Sequence, residues 1–159
     1  MIAALYTALC FALAPISFGV VQIRVSEALT LLAVFCPEAV IGVTLGCFIS
    51  NLLMSTIMDS IVGSLATFIS GVLTYKLRGA RLRSLAIVPS LPPVIINAFA
   101  IGIMLTYLYF PATSKLGVWL LNIVSVGAGQ FVSCCVLGVL LVFFIERHPS
   151  LMKIMKEEK

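Results

Sequence analysis

Six strongly polar side chains lie inside apolar stretches of the sequence, where their chemistry would be the binding of a small molecule. They are Glu27, Asn51, Asp59, Asn97, Asn122 and Gln130. Carboxyl and amide groups are costly to place within a membrane, so there they commonly mark a functional site. Each could instead hydrogen-bond to a neighbouring helix, and this structural alternative stays open for all six.

Glu27 is the strongest candidate for contact with a ligand. Its carboxylate could accept hydrogen bonds from a flat nitrogen heterocycle, or it could bind an ammonium group. Arg24, three residues earlier, could meet the same carboxylate as a structural ion pair. We expect both side chains to line an outward-facing cavity, in which Arg24 could pair with Glu27 until a ligand arrives.

Amide and aromatic side chains could complete the same site. Trp119 precedes Asn122 by three residues, so the two share one face of a helix. An aromatic plane beside an amide suits a flat heterocycle, which is held by stacking and by hydrogen bonds along its edge. The sequence therefore predicts a ligand site formed by Glu27, Arg24, Asn97, Trp119, Asn122 and Gln130.

Motifs of enzymes and metal sites are absent from the sequence. The only histidine, His148, lies near the C-terminus beside Pro149, and no GxSxG, HExxH or Walker A motif occurs. Five cysteines lie in apolar runs without the spacing of metal ligands: Cys10, Cys36, Cys47, Cys134 and Cys135. We therefore expect no enzyme activity and no cofactor. Because no nucleotide-binding motif occurs, any energy source must be a partner or an ion gradient.

The amino-acid composition indicates that these polar groups belong to a protein surrounded by lipid rather than by water. Of the 159 residues, 62% are hydrophobic and only 10% are charged, against about 25% charged in an average soluble chain. The apolar runs are continuous and lack the alternation of barrel strands, which favours membrane-spanning helices. The net charge of +4 does not indicate nucleic-acid binding, because the basic residues cluster at the predicted membrane edges.

The apolar runs predict an all-α membrane protein with six transmembrane helices in a single domain, residues 1–159. The predicted helices span residues 2–19, 28–36, 38–54, 64–77, 92–110 and 117–145. No basic residue precedes Arg24, so the first is predicted to be a retained helix rather than a cleaved signal. The second reaches only about half of a 30 Å hydrocarbon core, so the loop before it must dip into the membrane.

Basic residues predict the orientation. Eight lie in the loop after the fourth predicted helix or in the tail after the sixth: Lys76, Arg78, Arg81, Arg83, Arg147, Lys153, Lys156 and Lys159. Only Arg24 and Lys115 lie on the other side. The excess of positive charge predicts that both termini are in the cytoplasm, and the apolar composition predicts an inner-membrane protein.

Small residues repeat along the first predicted helix. Ala4, Ala8 and Ala12 are four residues apart, so they share one face. Such a face lets a second helix approach closely, either within the bundle or as a docking surface for another subunit.

Five segments together resemble the QueT family. They are residues 23–32 (IRVSEALTLL), 35–39 (FCPEA), 63–67 (GSLAT), 92–97 (PPVIIN) and 122–129 (NIVSVGAG). The first is the most specific, and together they cover nearly the whole chain.

The resemblance implies the fold and role of a substrate-binding subunit, or S component, of an energy-coupling factor (ECF) transporter. It implies a queuosine precursor, preQ0 or preQ1, as ligand, and a mobile lid between the first two helices. It also implies that the Ala4, Ala8 and Ala12 face docks a transmembrane coupling subunit, with two ATPase subunits completing the complex. An S component for a pyrimidine or pyridine precursor, or a structural membrane protein without ligand, are the alternatives left open.

Overall fold

The computed structural model describes residues 1–17, 23–82, 85–109 and 115–148, and the regular structure among them is helical apart from one isolated bridge between Leu82 and Leu85. The all-α prediction is therefore confirmed for these residues. Apart from the single turn Ala14–Ser17, the described residues form six helices in chain order: helix 1 (Ile2–Ala12), helix 2 (Val25–Val34), helix 3 (Glu38–Met54), helix 4 (Ile57–Lys76), helix 5 (Ile87–Tyr109) and helix 6 (Leu116–Arg147).

Helices 4, 5 and 6 are each long and apolar enough to cross a membrane, whereas helices 1, 2 and 3 are apolar but shorter. Large apolar side chains cover the outside of the bundle, among them Ile41, Leu65 and Phe99, each more than half exposed. Polar side chains such as Thr30, Ser60 and Asn97 are buried. A protein in water places these groups the other way round, so the distribution identifies a membrane protein.

Helices 4 and 5 begin earlier in the chain than predicted. Helix 4 begins at Ile57 rather than near residue 64, because the hydroxyl of Thr56 caps it by accepting from the Asp59 N–H at 3.1 Å. Helix 5 begins at Ile87 and runs through Pro92 and Pro93 rather than starting at residue 92. Neighbouring helices make proline tolerable inside a membrane-spanning helix.

The first predicted helix is interrupted. Helix 1 ends at Ala12, and after Leu13 only the single turn Ala14–Ser17 continues it, while residues 18 and 19 lie outside the described part of the chain. Helix 3 has the predicted bounds, and helix 6 has them to within two residues at either end.

Helix 2 is a 3₁₀ helix and begins at Val25 rather than at residue 28. Its ten residues, all buried except Val25, extend about 20 Å at about 2.0 Å per residue, against about 15 Å for an α-helix. Side chains three residues apart are eclipsed in this geometry, so Arg24, Glu27 and Thr30 lie along one side. Arg24 is only 5% exposed, so the residue directly before helix 2 lies inside the protein.

Helix 1 packs closely against helix 3 through one face. A Cβ atom added at Gly46 would lie 2.6 Å from the Cβ of Tyr6 and 2.9 Å from the carbonyl oxygen of Ala3, so only glycine permits this crossing. Tyr6 is thereby held in the core. The opposite face of helix 1, with Ala4 and Ala8, is exposed, as is Ala12 at its end.

One ion pair joins two basic regions of the sequence. Arg81, in the loop after helix 4, lies 2.7 Å from Glu146 near the end of helix 6. The loop after helix 4 and the end of helix 6 are therefore at the same end of the bundle, which is consistent with the predicted orientation.

Candidate ligand site

A small cavity lies among helices 2, 4, 5 and 6, and we call it the Glu27 cavity. Its lining residues are all buried: Arg24, Glu27, Gly63, Thr67, Asn97, Ile101, Val126 and Gln130. Its volume of about 10 Å³ is room for about one water molecule. The structure therefore brings together four of the six predicted site residues, Arg24, Glu27, Asn97 and Gln130, in a closed form of the bundle.

Hydroxyl groups surround the carboxylate of Glu27. Tyr6 donates to Oε1 at 2.5 Å and Thr67 to the same oxygen at 3.4 Å, while Thr30 donates to Oε2 at 3.1 Å. The Thr30 contact follows from the 3₁₀ geometry, which aligns residues three apart. Glu27 is 1% exposed, and these donors compensate part of the cost of burying its carboxylate.

Arg24 forms an ion pair with Asp59 of helix 4, whereas the sequence had offered Glu27 as one alternative partner. Its Nη2 lies 3.2 Å from Oδ2 of Asp59, and its Nη1 donates to Oδ1 of Asn51 at 3.0 Å. The amide of Asn51 also donates to the carbonyl oxygen of Asp59 at 3.1 Å. Residues near the ends of helices 3 and 4 thus hold the guanidinium over the cavity.

The two amide side chains of the cavity are held differently. Asn97 is 2% exposed, and its Nδ2 has no hydrogen-bond partner among the described residues. Gln130 is 4% exposed, and its Oε1 accepts a weak hydrogen bond from the thiol of Cys134 at 3.5 Å. Helix 6 changes from α to π geometry directly after Gln130, at Phe131, and π segments frequently occur at functional sites. An unused donor beside a carboxylate and a guanidinium is suited to a polar ligand.

Trp119 and Asn122 do not line the Glu27 cavity. Asn122 donates from Nδ2 to the hydroxyl of Thr106 at 2.8 Å, which joins helix 6 to helix 5. Asn122 thus has the structural role, a hydrogen bond to a neighbouring helix, that was the alternative for all six polar residues. Trp119 is half-buried in the first turn of helix 6. The shared face of these two residues therefore lies outside the Glu27 cavity in this structure.

Several site residues were missed by sequence reasoning. Tyr6 and Thr67 contact Glu27 from helices 1 and 4, and Gly63, Ile101 and Val126 complete the cavity wall. Hydroxyl residues are common in membrane helices and give no distinctive signal. Glu27 and Thr30 are three residues apart, and a 3₁₀ assignment would have placed them together.

The cavity offers both hydrogen-bond acceptors and donors. Glu27 accepts, Arg24 donates, and Asn97 and Gln130 can do either. Among the residues that the structure describes, no group of three His, Cys, Asp or Glu side chains could hold a metal ion. The arrangement suits an organic molecule with donors and acceptors along its edge.

Fold and interior together define a helical membrane protein with a polar cavity in its core. The chain belongs to the QueT transporter family, whose model matches residues 1–147. The predicted family, which is a family of transporters, is thereby confirmed.

One curated relative is the queuosine precursor transporter QueT of Lactococcus lactis subsp. cremoris. It is 46% identical over 71 residues, which cover 43% of this chain and 42% of that protein. The alignment thus spans less than half of the relative. No solved structure matches the chain significantly.

Proposed function

We propose that this chain is the S component of an ECF importer in the bacterial cytoplasmic membrane, and that it captures a queuosine precursor, preQ0 or preQ1. Membership of the QueT transporter family supports the transport role. The Lactococcus relative, named as a queuosine precursor transporter, supports the ligand class. The ATPase subunits and the transmembrane coupling subunit of such an importer would be separate chains.

The observation that carries this proposal is the Glu27 cavity. Arg24, Glu27, Asn97 and Gln130 converge there, although they are far apart in the sequence, and the Asn97 amide has an unused donor. A deazaguanine presents N–H donors and a carbonyl acceptor on one flat edge. Glu27 would accept from the donors, and an amide would donate to the carbonyl. The proposed site does not include Trp119 or Asn122.

The net charge of the buried side chains favours the binding of a precursor that carries an amine. With both carboxyl groups ionised, the buried groups of Arg24, Asp59 and Glu27 carry a net formal charge of −1. A buried charge without an opposite charge is costly, so a cationic ligand would stabilise the site. Of the two precursors, preQ1 carries an aminomethyl group, which is protonated at neutral pH.

The bound form must be wider than the form described here. Sites for small molecules usually enclose about 300–1,000 Å³, far more than the volume of the Glu27 cavity. The family resemblance implies that the loop between helices 1 and 2 would act as the lid, and Arg24, directly before helix 2, lines the cavity. When the lid opens, either the ion pair between Arg24 and Asp59 would break, or the two residues would move away from the cavity together.

Coupling to the transporter would use helix 1. Ala4, Ala8 and Ala12 are exposed, so they are free to meet a helix of the coupling subunit. Small residues permit the close approach that such a contact needs.

The direct test is mass spectrometry of small molecules released from the purified protein, followed by calorimetry with preQ0 and preQ1. We expect a deazaguanine to be released and at least one precursor to bind. Release of a pyrimidine or pyridine would retain the S-component role but overturn the ligand. Release of no heterocycle, with no heat from either precursor, would overturn the proposal in favour of a structural protein.

A further inference from the structure

A second space, which we call the Asp59 cleft, lies between the turn that joins helices 3 and 4 and the last turns of helix 5. Its volume is about 330 Å³. Polar and apolar side chains line opposite parts of it, among them Ser55, Thr56, Asp59, Met104, Leu105 and Leu108. This volume is within the range of small-molecule sites, whereas the Glu27 cavity is too small for a heterocycle without movement.

The carboxylate of Asp59 has one oxygen engaged and one unused. Oδ2 accepts from Arg24 at 3.2 Å and from the hydroxyl of Ser55 at 2.5 Å. Oδ1 is buried and has no hydrogen-bond partner among the described residues. The side chain is 7% exposed, and a buried carboxylate oxygen without a donor is costly. Asp59 is therefore suited to accept a hydrogen bond from a cationic donor in the cleft.

Arg24 and Asp59 separate the two spaces. Arg24 lines the Glu27 cavity and Asp59 lines the Asp59 cleft, and the two side chains are joined by their ion pair. The ion pair therefore lies where the lining of the cleft meets the lining of the cavity.

We propose that the Asp59 cleft is a first binding station for a flat heterocycle that carries a protonated amine. The proposal rests on the proposed function, since it concerns the same ligand before it reaches Glu27. Oδ1 of Asp59 accepts a hydrogen bond from the ammonium, and the apolar wall of helix 5 covers the ring. The ligand then exchanges Asp59 for Glu27 as the Arg24–Asp59 pair opens. Because charge-assisted hydrogen bonds are the stronger ones, this station favours preQ1 over preQ0, whose nitrile is uncharged.

The first test narrows the cleft without touching the ion pair. Leu108→Trp places a larger side chain in the cleft, and Ile103→Trp, on the lipid-facing side of the same helix, is the matched control. Binding and release of preQ1 are followed in lipid nanodiscs. We expect Leu108→Trp to slow association and dissociation by a similar factor, with little change in Kd, and Ile103→Trp to match the wild-type protein.

The second test removes the negative charge of the Asp59 carboxylate from the first binding station. In Asp59→Asn we expect association of preQ1 to slow roughly tenfold or more, and association of preQ0 to slow less. Asn51→Ala is the control, because it also removes a partner of Arg24 but leaves the cleft carboxylate. It should affect the two precursors equally.

The outcomes separate the two proposals. Normal wild-type binding with unchanged rates in Leu108→Trp, or equal slowing of both precursors in Asp59→Asn, would overturn the first binding station and leave the proposed function intact. A wild-type protein that binds neither precursor would overturn the proposed function and the station with it.

Discussion

The hydroxyl of Tyr6 lies 2.5 Å from Oε1 of Glu27. This contact joins helix 1 to helix 2 in the interior, while Ala4 and Ala8 on the opposite side of helix 1 are exposed. A single helix therefore contacts the candidate ligand site with one face and offers the proposed docking surface with the other.

Tyr6→Phe should lower the stability of the ligand-free protein. The change removes the closest donor to a buried carboxylate, and an unsatisfied buried group costs about 1–3 kcal/mol. We expect a lower melting temperature in detergent. Tyr75→Phe, in the last turn of helix 4 and away from the cavity, is the control. Equal melting of the two variants would show that the Tyr6 contact contributes nothing.

Glu27→Gln should weaken binding of preQ1 by about ten- to a hundredfold. The amide keeps an acceptor for the surrounding hydroxyls but loses the charge that would meet an ammonium. Calorimetry measures the affinity, and thermal melting without ligand serves as the control for folding. Normal affinity combined with early melting would mean that Glu27 is only a structural acceptor.

Asn97 and Asn122 should respond in opposite ways to replacement by alanine. Asn97 has an unused donor in the cavity, so Asn97→Ala should reduce affinity with little effect on the ligand-free melting temperature. Asn122 joins helix 6 to Thr106, so Asn122→Ala should lower stability by about 1 kcal/mol and leave affinity nearly unchanged. Calorimetry measures the ligand affinity of each variant, and thermal melting without ligand measures its stability. The reverse pattern would contradict the assignment of the site.

Ala8→Trp should abolish transport in a reconstituted complex but leave binding by the isolated subunit intact. The side chain is exposed, so a bulky group blocks an approaching helix rather than the bundle itself. Leu65→Trp, on the exposed face of helix 4, is the control for bulk at the lipid surface. Loss of binding as well as transport in Ala8→Trp would show that this face supports the fold.

Cysteine labelling should locate the loops relative to the membrane. Gly79 and Gly117 have no atoms within 4 Å of an added Cβ, so cysteine fits at both positions without disturbing the packing. Gly117→Cys, next to Lys115, should react with an impermeant reagent in intact cells. Gly79→Cys, near Arg81, should react only after lysis. The opposite result would reverse the predicted orientation.

Much of the interior was predictable from residue type. The cost of placing polar groups in lipid directs Glu27, Asn97 and Gln130 inward. Helix packing decides which of the inward groups share a cavity, because Asn51 and Asn122 face the same cost and lie outside it. The partner of Arg24 was not predictable, because Asp59 is 35 residues away and belongs to a helix whose cap extends it back to Ile57. Nor did the common face of Trp119 and Asn122 reveal which way that face points, since packing sets the rotation of a helix.

The 3₁₀ geometry of helix 2 also limits which changes of length the chain tolerates. With three residues per turn, deletion of one residue between Glu27 and Pro37 would rotate Glu27 by about 120° away from the cavity. Deletion of three would restore its direction but draw it back by about 6 Å. An α-helix would need the loss of about seven residues for the same restoration. The direction of Glu27 is therefore preserved only when the length of helix 2 changes by a multiple of three residues, and natural insertions or deletions in this helix should have such lengths.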